Sequence, residues 1–334
     1  MNQPNLTFFC ELEAGPLHDL FADEGLIEKL KKLEARISLG ILDFSQERVD
    51  VVKQLNKAGI PVIAWMLLPK EQGYWLNLDN APQAASLYGQ FKNWSNKNKL
   101  KWAGIGLDIE PDIRSMAMIN KNRPALVKEA FCKLINLSQH QKAFVDYRSL
   151  VTQIRCDGYV VESYQIPIIV DERKAGSTFL QHSTGLVDLS VDREVLMLYT
   201  SILRGNGLGM LWSYARDAQA IGVGSTGGGV VIEGVDNPQP LYWQELKRDL
   251  LLACQHTDWI YIFSLEGCVQ QGFLDALIGF DWFQTVSLPI KSSERVGRMR
   301  MFSQGFLWLT ARPWWMYASI FGIIWFAKSR RKCC

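Results

Sequence analysis

Short apolar runs alternate with helix-length segments along most of the chain, and no other feature constrains the fold as much. Strand-like runs are read at Leu6–Leu12, Ile37–Phe44, Pro61–Leu68, Trp102–Ile109, Tyr159–Tyr164, Glu194–Tyr199, Ile221–Val223 and Trp259–Phe263. Helical segments are read at Gly25–Ala35, Glu47–Ala58, Pro82–Lys97, Pro124–Ser149, Ser177–Val187, Gly207–Gln219, Leu241–Gln255 and Val269–Ile278. Eight strand–helix units predict an α/β fold, a closed parallel (β/α)8 or TIM barrel, over residues 1–285. An open doubly wound sheet would alternate too, but no G-x-G-x-x-G follows the first strand, and eight is the closing number.

A barrel gives all eight strand ends a common mouth, where active sites form. Ala103-Gly104-Ile105-Gly106-Leu107-Asp108-Ile109-Glu110 is the most telling of those ends. An apolar run stops at two carboxylates spaced two apart, and on a strand residues i and i+2 share a face. Glu11, Glu13, Asp43, Glu162, Tyr199 and Glu266 are expected around the same mouth. A mouth crowded with acids suits a polyhydroxyl substrate, whose hydroxyls donate to carboxylates, and an open, sugar-sized bowl is expected there. Solvated turn acids, helped by Pro111, are the alternative for the Asp-x-Glu pair. Tyr74 and Trp75 fall on a mouth loop where aromatics can stack on a sugar face or simply pack. Gly224-Ser225-Thr226-Gly227-Gly228-Gly229 follows the seventh strand, where barrels often cradle phosphate. It holds no Lys or Arg, which favours a lid or a tight turn.

Composition narrows the partners. A formal charge of +2 without a basic stripe in the first 290 residues argues against nucleic acid. Cys10, Cys132, Cys156, Cys254 and Cys268 lack paired spacing, and His18, His140, His182 and His256 are isolated, so no disulfide framework, metal site or cofactor is expected. The thiols read as those of a reducing compartment, and a cytoplasmic barrel is expected. Met1 to Leu6 has no signal-peptide pattern.

The C-terminal region differs in kind. Residues 286–305 read as a basic linker carrying Lys291, Arg295, Arg298 and Arg300, and 306–334 as a hydrophobic tail with a basic, Cys-containing end. Phe306–Ala327 is about the length that spans a bilayer, interrupted at Arg312 and Pro313. Trp308, Trp314, Trp315, Tyr317 and Trp325 resemble interfacial anchors, so a single C-terminal transmembrane anchor is expected. Flanking charges are nearly symmetric and leave the barrel's side of the membrane open. Cys333 and Cys334 are weak acylation cues.

The stretch Gly104-Ile105-Gly106-Leu107-Asp108-Ile109-Glu110 resembles the D-G-x-D-x-D-x-E strand of the chitinase-like family 18 glycoside hydrolases. Met197-Leu198-Tyr199, at the end of the sixth strand, resembles that family's M-x-Y motif. The resemblance implies Glu110 as general acid, Asp108 as the residue positioning a substrate acetamido group, and Tyr199 as its hydrogen-bond partner. The match is confined to these motifs. Gly106 and Ala103 stand where the family has upstream aspartates, the third strand reads Ala64-Trp65-Met66-Leu67-Leu68-Pro69, and Thr200 follows Tyr199.

Glycosidic cleavage needs a proton donor and a second group that stabilises the oxocarbenium-like centre. Glu110 is expected as the donor, its pKa raised by Asp108 and by desolvation. The second group is the substrate's own amide, steered by Asp108 and Tyr199, or else Glu266 or Glu162. Met197, Trp75, Tyr74, Glu162, Glu266, Asp43 and Glu11 are the expected substrate-binding residues. The expected activity is hydrolysis of a glycan or glycoconjugate near a membrane. A transglycosylase, or an inactive barrel that binds glycan or protein, is the alternative.

Overall fold

The computed structural model describes residues 3–118, 123–232, 235 and 238–312. Its strands are β1 (Asn5–Cys10), β2 (Arg36–Ile41), β3 (Val62–Met66), β4 (Gly104–Ile109), β5 (Val161–Gln165), β6 (Arg193–Met197), β7 (Ala220–Gly224) and β8 (Trp259–Phe263). All pair in parallel in chain order, and β8 closes on β1 to give an eight-stranded barrel.

The helices on the outside are α1 (Ala14–Phe21), α2 (Glu24–Lys32), α3 (Gln46–Ala58), α4 (Ala81–Asn98), α5 (Ile113–Met118), α6 (Arg123–Ile135) and α7 (Leu137–Cys156). They continue with α8 (Ile168–Ala175), α9 (Phe179–Thr184), α10 (Gly207–Ala215), α11 (Trp243–Ala253), α12 (Leu265–Gln270), α13 (Phe273–Leu277) and α14 (Ile290–Thr310). Several expected helices are divided. Asn136 breaks Pro124–Ser149, its side chain accepting from the Gln139 amide to start α7. Gly272, at φ +71°, separates α12 from α13.

Alternation along each strand sorts two apolar layers. Leu6, Phe8 and Cys10 of β1 pack outward with Leu17, Val52 and Leu265, while Phe9 turns inward. Inside, Phe9, Trp65, Tyr164, Val195 and Tyr261 fill the barrel. Phe9 meets Trp65 at 5.1 Å and Tyr164 at 4.8 Å, both edge-on, so the lumen is a packed core.

The basic region 286–305 is not a linker. Most of it belongs to α14, which packs along α8 and α10 through Val296, Arg300 and Leu307. The Arg300 guanidinium binds Asp171 at 2.7 Å and Asp217 at 2.8 Å and lies 3.7 Å from the Tyr214 ring centroid. Phe306 to Thr310, expected to begin the hydrophobic tail, form the last turns of α14. Among the described residues no helix is long and apolar enough to cross a membrane. The rest of the expected anchor, residues 313–334 with Cys333 and Cys334, lies outside the described residues.

Candidate active site

On β4, Ile105, Leu107 and Ile109 join the outer apolar layer with Tyr88, Phe91 and Tyr147, so Gly106, Asp108 and Glu110 face inward. Asp108 is 2% exposed, and Glu110, one step beyond the strand, is half-buried. Leu76 bridges to Ile109, its amide donating to the Asp108 carbonyl at 2.8 Å, so the β3–α4 loop fixes this strand end.

The side chain that holds Asp108 was not among the residues expected at the site. Trp65 of β3 lies opposite Gly106 in the register, and its indole N–H donates to Asp108 Oδ2 at 3.0 Å. Oδ1 has no hydrogen-bond partner among the described residues. Burial, with the nearby charges of Glu110 and Glu11, pushes the Asp108 pKa well above the usual carboxylate range, against the pull of the indole. Desolvation pushes Glu110 up to about 7.

Gly106 replaces an acid of the resembled motif for a steric reason. A Cβ there would fall 2.6 Å from Tyr164 Cζ. The Tyr164 phenol occupies the space that an upstream aspartate would need, with its hydroxyl 2.6 Å from Ser38 Oγ.

Two further carboxyls reach the mouth. Glu11, next inward after Phe9, accepts from the Tyr74 hydroxyl. Burial raises Glu11 to about 8, with Glu266 and Glu110 adding to the shift and the Tyr74 bond opposing it. Glu266, in the first turn of α12, is raised to about 7 by desolvation. Tyr199 faces inward beyond Met197, its ring 5.8 Å from that of Phe263. The phenol's pKa is raised by burial and by the charges of Asp108, Glu110 and Glu11, which keeps it a hydroxyl donor.

Among the described residues the expected open bowl is partly covered. The loop after β7 folds over the Glu11 and Glu266 side of the mouth, and Val230 and Ile232 pack against the inner aromatic cluster. Gly228, at φ +77°, allows this: a Cβ there would fall 2.7 Å from Ser264 Oγ. Ser264 also donates to the Gly227 carbonyl at 2.6 Å. The Gly-rich run is thus a cover over carboxyls, an unfavourable setting for a phosphate.

Four expected binding residues take other roles. Glu162 sits near the strand starts, paired with Arg193 at 2.7 Å and Arg36 at 3.5 Å and accepting from Tyr261 at 2.7 Å. Arg193 and Arg36 lie 3.5 Å and 5.0 Å from the Trp259 ring centroid, so this network seals the floor of the barrel, away from the mouth. Asp43 is bound to the fully buried Arg48 at 2.8 Å; despite desolvation, the bonds from Arg48 and Ser45 hold it at about 2. Arg48 also donates to the Gly40 and Leu12 carbonyls, so Asp43 belongs to a buried staple. Trp75 is buried edge-on against Tyr74, so neither ring offers the open stacking face expected of them. Met197 is half-buried against the inner cluster.

Among the described residues no group of three or more His, Cys, Asp or Glu is disposed to hold a metal ion. Cys10, Cys132, Cys156, Cys254 and Cys268 are free thiols.

No family model matches the chain, and no curated protein matches it. Solved structures do. A xylose isomerase domain-containing protein from Salmonella typhimurium aligns at 11% identity and TM-score 0.42, covering 89% of this chain and 96% of that one. A xylanase-alpha-amylase inhibitor protein, solved in complex with trehalose, aligns at 9% identity and TM-score 0.44, covering 83% and 99%. A xylose isomerase domain protein from Planctomyces limnophilus aligns at 12% identity and TM-score 0.44, covering 81% and 92%. None of the three is described as a family 18 hydrolase. Likeness at this level carries no argument about chemistry.

Proposed function

We propose that this barrel performs acid–base chemistry on a glycan or glycoconjugate, with Glu110 as proton donor. The observation that carries the reading is the disposition of Asp108 and Glu110. They are consecutive inward residues at the C-terminal end of β4, one sealed and hydrogen-bonded to Trp65, the other half-open. Glu110, raised to about 7, holds a proton it can give up near neutrality, as the cleavage of a glycosidic bond requires. Asp108, sealed and held by Trp65 with its pKa raised by burial, backs Glu110 from inside the barrel, and the Tyr199 hydroxyl offers a donor at the mouth. Glu11 and Glu266 lie across the same mouth, beneath the Gly-rich loop. The resemblance to family 18 hydrolases rests on the two short motifs.

Turnover of aryl glycosides and N-acetylated oligosaccharides is the test. Glu110→Gln should abolish turnover without lowering the melting temperature, and full activity in that variant would remove the proposal. The packing of Val230 and Ile232 over the mouth favours a second reading, a barrel that binds glycan without cleaving it. Saturable binding of those oligosaccharides with no product over prolonged incubation would select that reading.

A further inference from the structure

Helix α14 runs down the outer wall from the mouth end towards the end where the strands begin. Near its start it packs on the first turn of α10, where a Cβ on Gly209 would fall 2.9 Å from Val296 Cγ2. Arg300 then reaches Asp217, in the turn between α10 and β7. Beyond it Thr310 meets Ser177 at 3.0 Å, and Arg312 donates to the Ala175 carbonyl at 3.3 Å. Ala175 ends α8, whose Arg173 and Lys174 pair with Glu194, the second residue of β6, and with Asp217. The described chain therefore ends at the level of the strand starts, opposite the carboxyls of the mouth.

The outward face of α14 changes along its length. Lys291, Arg295 and Arg298 come first and are exposed. Met299, Phe302 and Phe306 follow on the same face, Phe302 with 74% of its surface in water. The sequence beyond stays apolar from Trp314 to Ala327 and then turns basic at Lys328, Arg330, Arg331 and Lys332. Aromatic side chains left in water next to cations match a lipid surface, where the apolar groups enter the acyl boundary and the cations meet anionic headgroups. Lys97, Lys99 and Lys101, all exposed where α4 returns to β4, add positive charge at the same end of the barrel.

We propose that the lower half of α14 and the strand-start end of the barrel dock on a bilayer carrying anionic headgroups, so that the carboxyl-lined mouth faces away from the membrane. A substrate for that mouth then arrives from the aqueous phase, and a sugar attached directly to a headgroup of the same bilayer lies out of reach. Only this last consequence rests on the proposed glycan chemistry. The test reads geometry and no turnover, so the two can fail separately.

Nitroxide labels on the full chain provide that test. In a background of Cys132→Ser, Cys156→Ser, Cys333→Ser and Cys334→Ser, one label is placed through Phe302→Cys and another, at the mouth, through Glu71→Cys. On adding phosphatidylcholine–phosphatidylglycerol vesicles, relaxation at position 302 should shift towards oxygen and away from a water-soluble nickel chelate, with position 71 unchanged. Lys97→Glu with Lys101→Glu, at the strand-start end, should reduce the shift. No shift at 302, a shift at 71, an undiminished shift in the double variant, or shielding at 302 before vesicles are added, as by a second copy, would each overturn the proposal.

Discussion

The indole of Trp65 donates to Asp108 across the β3–β4 pair at 3.0 Å, and the other carboxyl oxygen of Asp108 is left unpaired. A buried carboxyl with one satisfied oxygen is held in one orientation, and burial raises its pKa well above the usual carboxylate range. Replacing Trp65 by Phe removes the donor and keeps much of the ring. The loss should raise the Asp108 pKa further and free its side chain to rotate. On the proposed reading, kcat should fall by about tenfold or more with little change in KM for a minimal substrate. A pH–rate profile of the variant should show the change; a profile and kcat matching the parent would remove the positioning role from Trp65.

Gly106 leaves room for the Tyr164 ring. Gly106→Ala should destabilise the barrel by about 3 kcal/mol, since overpacking a filled core commonly costs 1–3 kcal/mol and the hydroxyl is also tied to Ser38. Gly106→Asp, which restores the motif letter of the resembled family, should do worse. Urea unfolding of both variants checks the order, and a stable, active Gly106→Asp protein would contradict the steric account.

Stability should fall as pH rises through neutrality. Glu11, Glu110 and Glu266 titrate at about 8, 7 and 7 in the folded chain, above the unfolded value near 4.3. Between those values the native state binds more protons than the unfolded one, so the unfolding free energy decreases with pH. Melting temperature should therefore decline between about pH 5 and pH 9. Glu11→Gln should flatten the upper part of the decline, and a parent curve that is level across that range would contradict the shifts.

Arg300 binds two carboxylates and the Ser213 carbonyl where α14 meets the barrel. Arg300→Met leaves Asp171 buried beside Tyr214 and Gln304 without its cation, and should cost about 3–5 kcal/mol. Arg298→Met, on the exposed face, should cost less than about 0.5 kcal/mol. Equal losses in thermal unfolding would mean that α14 is not held by this contact.

The barrel was legible because parallel strands buried on both faces read as short, mainly apolar runs, and eight such runs alternate with helix-length segments from Leu6 to Phe263. The inward direction of Asp108 and Glu110 was legible from their spacing of two. Period alone does not say how far along a strand the mouth begins, which is why Glu162 appeared to be a mouth acid. Its neighbours Arg36 and Arg193, each the first residue of its strand, mark the floor, but they become neighbours only once β2, β5 and β6 are brought into register.

Local pattern thus carried what depends on neighbours along the chain: strand and helix alternation, the acid pair on one face, the turn from basic to apolar near the C-terminus. Contacts between distant segments settled the rest. Trp65 finds Asp108, Tyr164 fills the space beside Gly106, the Gly-rich loop covers Glu11 and Glu266, and Arg300 turns an apparent linker into a docked helix. Each of these is a choice of partner made by barrel closure, which brings together side chains that no spacing in the sequence connects.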